Sequence, residues 1–474
     1  VNSSRVVKKM NEEKLKKVRD ELNRVSPSFC MAKWYHVSMH LHTGMNHSCY
    51  HPAPHKISLD EIRQNPGALH NTQWKKEQRK MMLEGTRPPE CSYCWAVEDL
   101  DGDQISDRYL RSSEEWAYPY IDETKNLPWD ADVFPKYLEV NFGNECQFKC
   151  SYCTTSVSSS WFNETKKLGS WPLINPVNKG QYEIEYYEQP GTLYKEKDSP
   201  YVKAFWEWLP DAYKHLYTLR ITGGEPLLSS NVYKVLDFLD QNPNPNLEFS
   251  INSNMGVPRR NVEKFVHKVK KLLEENKIRT FRLYTSTDTW GPQAEWIRNG
   301  LNLEDFESNI RYYLDAIPNS NVGFMVTFCA LAIPSFNLFL DKILELRKDY
   351  GGPYKRIHFD TPYTIEPPHL VAPILDDRWV EHGEKQLQYL KDRVDDDDNE
   401  MFSNIEYRKL ERAIEWIKAN RQTDPLLSVN RADFYRFVIE HDKRRGTNFL
   451  EAFPEMNEFL DLCKRCDENI RKQN

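Results

Sequence analysis

Through the middle of the chain, short alternating apolar runs take turns with longer stretches whose apolar residues recur every three or four positions. YLEVNF (137–142), LYTLRIT (216–222), LEFSIN (247–252), TFRLYTS (280–286), NVGFMVTF (321–328) and KRIHFD (355–360) predict strands. NVYKVLDFLDQ (231–241), NVEKFVHKVKKLLEEN (261–276) and FNLFLDKILELRKD (336–349) predict amphipathic helices between them. Six strands alternating with helices predict βα units on a parallel sheet, an α/β fold. Periodicity suits an open barrel and a doubly wound sheet equally. One connection stands apart: residues 154–215, rich in Trp, Tyr, Pro and Gly, separate the first two strands. Such a length predicts an ordered insertion serving as a lid or substrate loop.

The flanks follow other patterns. Residues 1–130 open on a polar helix, show little β/α alternation, and hold four cysteines and seven histidines. Residues 371–474 read as helices, including RWVEHGEKQLQYLKDRV, IEYRKLERAIEWIKANR, RADFYRFVIEHDKR and MNEFLDLCKRCDENI. Three regions are therefore expected, 1–130, 131–370 and 371–474, in line with a prior of about three domain-sized units for this length. The acidic run Asp395–Asp398 reads as a solvated loop between helices.

Composition narrows the class. Aromatics make up 13% of the 474 residues and charged residues 28%, an ordinary globular balance. A net charge of −7 proposes neither nucleic acid nor an anionic membrane as partner. The longest apolar stretches fall short of the roughly 20 residues a membrane span needs, and the N-terminal helix lacks the apolar core of a secretory signal. A soluble, cytoplasmic protein is expected, in which ten cysteines serve metal or catalysis rather than disulfides.

Three of those cysteines, Cys146, Cys150 and Cys153, lie in NECQFKCSYCTT directly after the first predicted strand. Three thiolates on one loop can hold three corners of a cubane iron–sulfur cluster and leave one iron open. A zinc site completed from elsewhere, or a cluster with a remote fourth cysteine, satisfies the triplet equally. The second strand ends in Gly223, Gly224, Glu225 and Pro226. The two glycines admit close approach to the backbone, and the carboxylate can take an ammonium group. Ligands of parallel sheets and barrels sit at the carboxyl ends of strands, so this turn and the triplet are expected at one mouth.

Together these residues resemble the radical S-adenosylmethionine (radical SAM) enzymes, whose hallmark is C-x3-C-x2-C after the first strand of a partial (β/α)6 TIM-type barrel. The likeness covers roughly residues 137–365. It implies a 4Fe-4S cluster on Cys146, Cys150 and Cys153, with S-adenosyl-L-methionine chelated at the open iron. One electron from the cluster would cleave the sulfonium, giving a 5′-deoxyadenosyl radical that abstracts hydrogen. By the same resemblance Tyr152 lies beside the adenine, the Gly223–Gly224 turn approaches the cofactor, and Glu225 holds the methionyl ammonium. Ser286 meets the ribose, Arg298 meets the methionyl carboxylate, and Asn252, Asn254 and Asp288 are further cofactor-binding candidates.

A second pattern precedes the barrel: Cys30, thirteen residues, Gly44, four residues, Cys49, then Cys91-x2-Cys94. Four such cysteines can close an all-thiolate site for zinc or a complete four-iron cluster. The pattern is similar to the twitch domain, the short relative of the SPASM domain, which implies an auxiliary 4Fe-4S cluster acting in electron transfer. It departs from most relatives in preceding the barrel. Six histidines (His36, His40, His42, His47, His51, His55) keep structural zinc open as the rival. Cys463 and Cys466 read as partly buried, inert residues of a late helix, with ligation of a further or swapped site as the alternative, and Cys329 reads as core.

The resemblance implies a peptide, protein or small-molecule substrate and an electron donor such as flavodoxin or ferredoxin. The favoured expectation is hydrogen abstraction from a peptide or protein side chain. Dehydrogenation of a carbohydrate-like small molecule, and a non-catalytic metal-stabilised binding protein, are the alternatives.

Overall fold

The computed structural model describes residues 2–100, 104–351, 355–423 and 425–473. Its strands in chain order are β1 (His36–His40), β2 (Met45–His47), β3 (His55–Lys56), β4 (Tyr137–Asn141), β5 (Lys149–Cys150) and β6 (Thr218–Thr222), followed by β7 (Asn244–Ser253), β8 (Ile278–Thr285), β9 (Arg298–Asn299), β10 (Asn321–Met325) and β11 (Ile357–Asp360). All six predicted strands form, as β4, β6, β7, β8, β10 and β11. The chain folds as two compact units. One comprises the residues up to 143 with 191–223 and 244–250; the other comprises 144–190, 224–243 and the residues from 251 onward.

In the first unit β1, β4 and β6 run parallel, with Ser38 beside Glu139 and Glu139 beside Arg220. β2 and β3 add antiparallel strands on the far side of β1. Side chains alternate across a strand. Val37, Met39, Leu138, Val140, Leu219 and Ile221 therefore share one buried apolar face. The opposite face carries Tyr137, Glu139, Asn141, Arg220 and Thr222. A second apolar cluster, including Val18, Leu22, Phe29, Trp34, Met82 and Trp116, anchors the N-terminal helix Asn2–Val25.

The strand β1 was not expected. Its sequence HVSMH places His36, Ser38 and His40 on one face, and that polar alternation hides it. Because β1 hydrogen-bonds along β4, the N-terminal cysteine-bearing segment shares a compact unit with the first core strands rather than forming one by itself.

In the second unit β8, β10 and β11 are parallel neighbours. The helices Arg259–Glu274, Leu303–Ala316 and Phe336–Tyr350 supply the return connections. The first buries Val262, Phe265, Val266, Val269 and Leu272 along one stripe. The C-terminal helices belong to this unit as well. Glu406 closes a capping box with Ser403, pairs with the buried Arg347 at 2.5 Å, and accepts the Phe359 amide of β11 at 3.1 Å. The result is an α/β fold with a mixed parallel and antiparallel sheet, consistent with a partial TIM-type barrel core. Among the described residues no helix is long and apolar enough to cross a membrane.

Candidate metal centre

The triplet loop is held from several sides. The Cys146 amide donates to Ser159 Oγ at 3.1 Å, and Ser160 Oγ donates to the Cys146 carbonyl at 2.7 Å, both serines opening the helix Ser159–Leu168. The Trp161 indole N–H donates to the Cys150 carbonyl at 2.8 Å. β5 pairs with β9, setting Cys150 opposite Arg298, and the Ser151 amide donates to the Ile297 carbonyl at 2.8 Å. The Tyr182 hydroxyl donates to the Ser151 carbonyl at 2.9 Å and its ring stacks on Trp161. Trp171 and Phe437 pack behind those two rings, and the Arg445 guanidinium lies 4.4 Å from the Trp161 ring. The backbone is thus fixed while the thiols stay free. All three thiols are pushed up, chiefly by burial; Cys153 reaches about 12, and Arg298 opposes the shift at Cys150. Desolvated thiols of this kind ionise only against a compensating positive charge, which a bound metal provides.

The Gly-Gly-Glu-Pro turn presses on the same loop. The Glu225 amide donates to the Glu145 carbonyl at 2.7 Å. A Cβ on Gly224 would stand 2.4 Å from that same Glu145 oxygen, so only glycine fits. Gly223 adopts φ 137°, and a Cβ there would meet Asn141 Oδ1 at 2.7 Å. The Glu225 carboxylate is buried and accepts from the Leu227 amide (2.9 Å), Ser253 Oγ (2.7 Å) and the Asn254 amide (2.7 Å). Burial raises its pKa to about 7 despite those three donors. Asn254 Nδ2 lies 3.8 Å from Cys146 Sγ. Asn252 sits at the end of β7, and Ser286 follows β8, half-buried.

Asp288, two residues past Ser286, is fully buried and receives four donors. Arg298 Nε and Nη2 approach its two oxygens at 2.9 and 3.0 Å, the Thr327 amide donates at 2.9 Å, and the Tyr152 hydroxyl donates at 2.9 Å. Arg298 Nη1 then stands 3.8 Å from Cys150 Sγ, and the guanidinium lies 5.5 Å from the Tyr152 ring. Tyr152, Asp288 and Arg298 therefore form one unit with Cys150. No motif announced Ser253, Ser159, Trp161 or Thr327. Ser253 lies within SINSN, the only one with a sequence neighbour that pointed toward it.

The four N-terminal cysteines come together in the first unit. Cys30, Cys49, Cys91 and Cys94 line one small cavity of about 20 Å³ with Arg108, Arg111 and His51. Burial raises all four thiols, Cys49 to about 12 and Cys91 to about 11. Arg108 and Lys33 oppose the rise at Cys30. Of the six clustered histidines only His51 lines the cavity, and its Nε2 is held by Asp107 at 2.6 Å. His40 and His47 face each other at 3.1 Å instead. Elsewhere Cys329 and Cys463 are fully buried, and Cys466 is half-buried on the helix Asn457–Gln473.

Among the described residues, no three His, Cys, Asp or Glu side chains converge as the ligands of one metal ion. A cubane cluster makes a different demand, since each thiolate binds its own iron. The triplet fits it by the chemistry of its donors: three free thiols on a rigid loop, with N–H groups of Arg298 and Asn254 directed at two of the sulfurs. Residues 140–331, spanning the triplet, the Gly-Gly-Glu-Pro turn, Ser286 and Arg298, match the model of the Radical SAM superfamily. Residues 140–331 thus form a radical SAM domain, similar to a superfamily whose members in general cleave S-adenosylmethionine with an iron–sulfur cluster. No curated protein matches the chain.

Proposed function

We propose that the chain is a radical SAM enzyme that abstracts hydrogen from a peptide or protein substrate, with an auxiliary 4Fe-4S cluster on Cys30, Cys49, Cys91 and Cys94 acting in electron transfer. The observation that carries it is the rigid triplet loop with Gly224 and Glu225 held against its backbone. Cys146, Cys150 and Cys153 would hold the 4Fe-4S cluster, which supplies the single electron for reductive cleavage of S-adenosyl-L-methionine. The protein's own work is to bind, orient and exclude water. Glu225 takes the methionyl ammonium, and Ser286 takes the ribose. Tyr152, Asn252, Asn254 and the Gly223–Gly224 turn line the nucleotide. Arg298 offers the methionyl carboxylate those donors that Asp288 does not engage. The aromatic cover of Trp161, Trp171, Tyr182 and Phe437 keeps water from the loop. A peptide substrate is supported by the order of the insertion, whose Ile174 and Asn175 amides are held by Asp433 of a C-terminal helix at 2.6 and 2.9 Å. Flavodoxin or ferredoxin would donate the electron.

The N-terminal cavity offers four thiols, Cys30, Cys49, Cys91 and Cys94, while the Nε2 of its histidine, His51, is held by Asp107, so four sulfur ligands are at hand for the auxiliary cluster. Anaerobic reconstitution is expected to load about eight iron and eight sulfide per chain. Cys94→Ser should fall to about four of each while keeping S-adenosylmethionine cleavage. Four iron plus one zinc in the wild type would replace the auxiliary cluster with a structural ion.

Glu225 gives the cofactor's affinity a pH dependence. Its carboxyl, raised to about 7, is protonated below that pH and loses its attraction for an ammonium. Affinity for S-adenosylmethionine is therefore expected to weaken as pH falls from 7, about tenfold per unit, and to level off above 7. Equilibrium binding between pH 5.5 and 7.5 measures this. Glu225→Gln should bind weakly and without that slope; an unchanged slope would remove Glu225 from the ammonium site.

A further inference from the structure

Asp288 and Arg298 stand apart from the rest of the candidate cofactor residues in being paired with each other. Asp288 has no exposed surface and Arg298 is 5% exposed. Their fork-to-fork ion pair joins three segments: Asp288 follows β8, Arg298 opens β9, and the Thr327 amide that completes the shell follows β10. Tyr152, from inside the triplet, supplies the remaining donor. Such a pair is expensive to bury, and an apolar replacement of similar volume often does as well for stability. What this one accomplishes is geometric. β5–β9 pairing sets the backbones of Cys150 and Arg298 side by side, and the carboxylate then turns the guanidinium so that Nη1 faces Cys150 Sγ at 3.8 Å.

We infer that Asp288 is a positioning residue for the triplet's cluster, clamping Arg298 against the Cys150 sulfur so that the pair sets how readily that cluster accepts an electron. The inference rests on the cluster assignment proposed above. Reduction adds negative charge beside the sulfur. A fixed cation there, in a dry site, favours the reduced form, and the adjacent carboxylate partly cancels it. A second cation near Cys150, Arg445, pairs with Glu164 at 3.1 and 3.0 Å and donates to the Lys149 carbonyl, while the Lys149 ammonium shares that carboxylate at 2.7 Å. None of these groups changes in the variants, so they contribute a constant background. Opposite substitutions must then act in opposite directions. Removing the carboxylate leaves the cation uncompensated and makes reduction easier; removing the cation makes it harder.

The test is an EPR-monitored redox titration of the reconstituted full chain without S-adenosylmethionine, following the signal that Cys150→Ala abolishes. Asp288→Asn is expected to raise the midpoint potential and Arg298→Met to lower it, each by about tenfold in the reduction equilibrium, or about 59 mV. Tyr152→Phe, which keeps both charges, and Arg298→Lys, which keeps the cation, should each stay within about twofold of wild type. Unmoved potentials, or shifts of the same sign in the two charge variants, overturn the inference. So does loss of the cluster in both of them while Tyr152→Phe retains its own, because the pair is then only structural. If the wild type forms no triplet cluster at all, the cluster assignment itself has failed, and iron content reports that separately.

Discussion

Cys150→Ala should release no measurable 5′-deoxyadenosine from S-adenosylmethionine under reducing conditions, while folding as the wild type does. Loss of an outer partner of a metal ligand already costs up to about 100-fold in affinity or activity, and this substitution removes a ligand outright. The thiol takes one weak donor, Arg298 Nη1 at 3.8 Å, and that guanidinium stays held by Asp288 without it. The Cys150 backbone is held by β5–β9 pairing and by the Trp161 indole on its carbonyl, and alanine keeps both. Stability should therefore change by only about 1 kcal/mol, the central tendency for a single substitution. Iron should drop by about four per chain, the content of one cubane. Chromatography of the nucleoside products, iron analysis and thermal denaturation by circular dichroism together check the expectation. Wild-type product formation by the variant would take the triplet out of the chemistry.

Gly224→Ala should be nearly as damaging, for a reason of space rather than ligation. The new Cβ would stand 2.4 Å from the Glu145 carbonyl oxygen and 2.7 Å from the Asn144 carbonyl carbon. Both neighbours are backbone, so no side chain can swing aside. The turn and the cysteine loop have to part, breaking the Glu225 amide bond to Glu145 and displacing the carboxylate assigned to the ammonium. Overpacking of this kind costs about 1–3 kcal/mol of stability. Misplacing a binding group by about an ångström can cost about 100-fold in turnover. Gly180→Ala makes the control, because a Cβ there meets nothing within 4 Å. Thermal denaturation and binding of S-adenosylmethionine should show Gly224→Ala impaired in both and Gly180→Ala in neither.

The core was legible in the sequence where side-chain chemistry and secondary structure reinforce each other. The segments behind β8 and β10 combine β-branched and aromatic residues with flanking turns, and both formed within a few residues of the expected bounds. The triplet and the Gly-Gly-Glu-Pro turn were legible because their residue types have few other uses at that spacing. β1 was not, because His36, Ser38 and His40 give its alternation no apolar contrast on one face, and its partner β4 lies about a hundred residues on. Spacing suggested that Cys30, Cys49, Cys91 and Cys94 act as a set, but a shared cavity is a tertiary fact. The same holds for Arg298. Its position marked it as a candidate, whereas its bond to Asp288 and its approach to Cys150 depend on how β9 folds back along β5. The most remote contributors had no signal at all. Asp433, which holds the Ile174 and Asn175 amides, and Arg445, which covers Trp161, belong to the helix Leu426–Arg445, which the sequence marks only as a helix.

The central claim is that three cysteines hold an iron–sulfur cluster with one iron free to bind and split S-adenosylmethionine. Anaerobically reconstituted wild-type protein, reduced and mixed with S-adenosylmethionine, tests it most directly. The account predicts 5′-deoxyadenosine and methionine in equal amounts, from protein whose Cys146, Cys150 and Cys153 are ligated to iron. An intact, reduced cluster that leaves the cofactor uncleaved, or a zinc ion at those three residues with a fourth protein ligand, would contradict it.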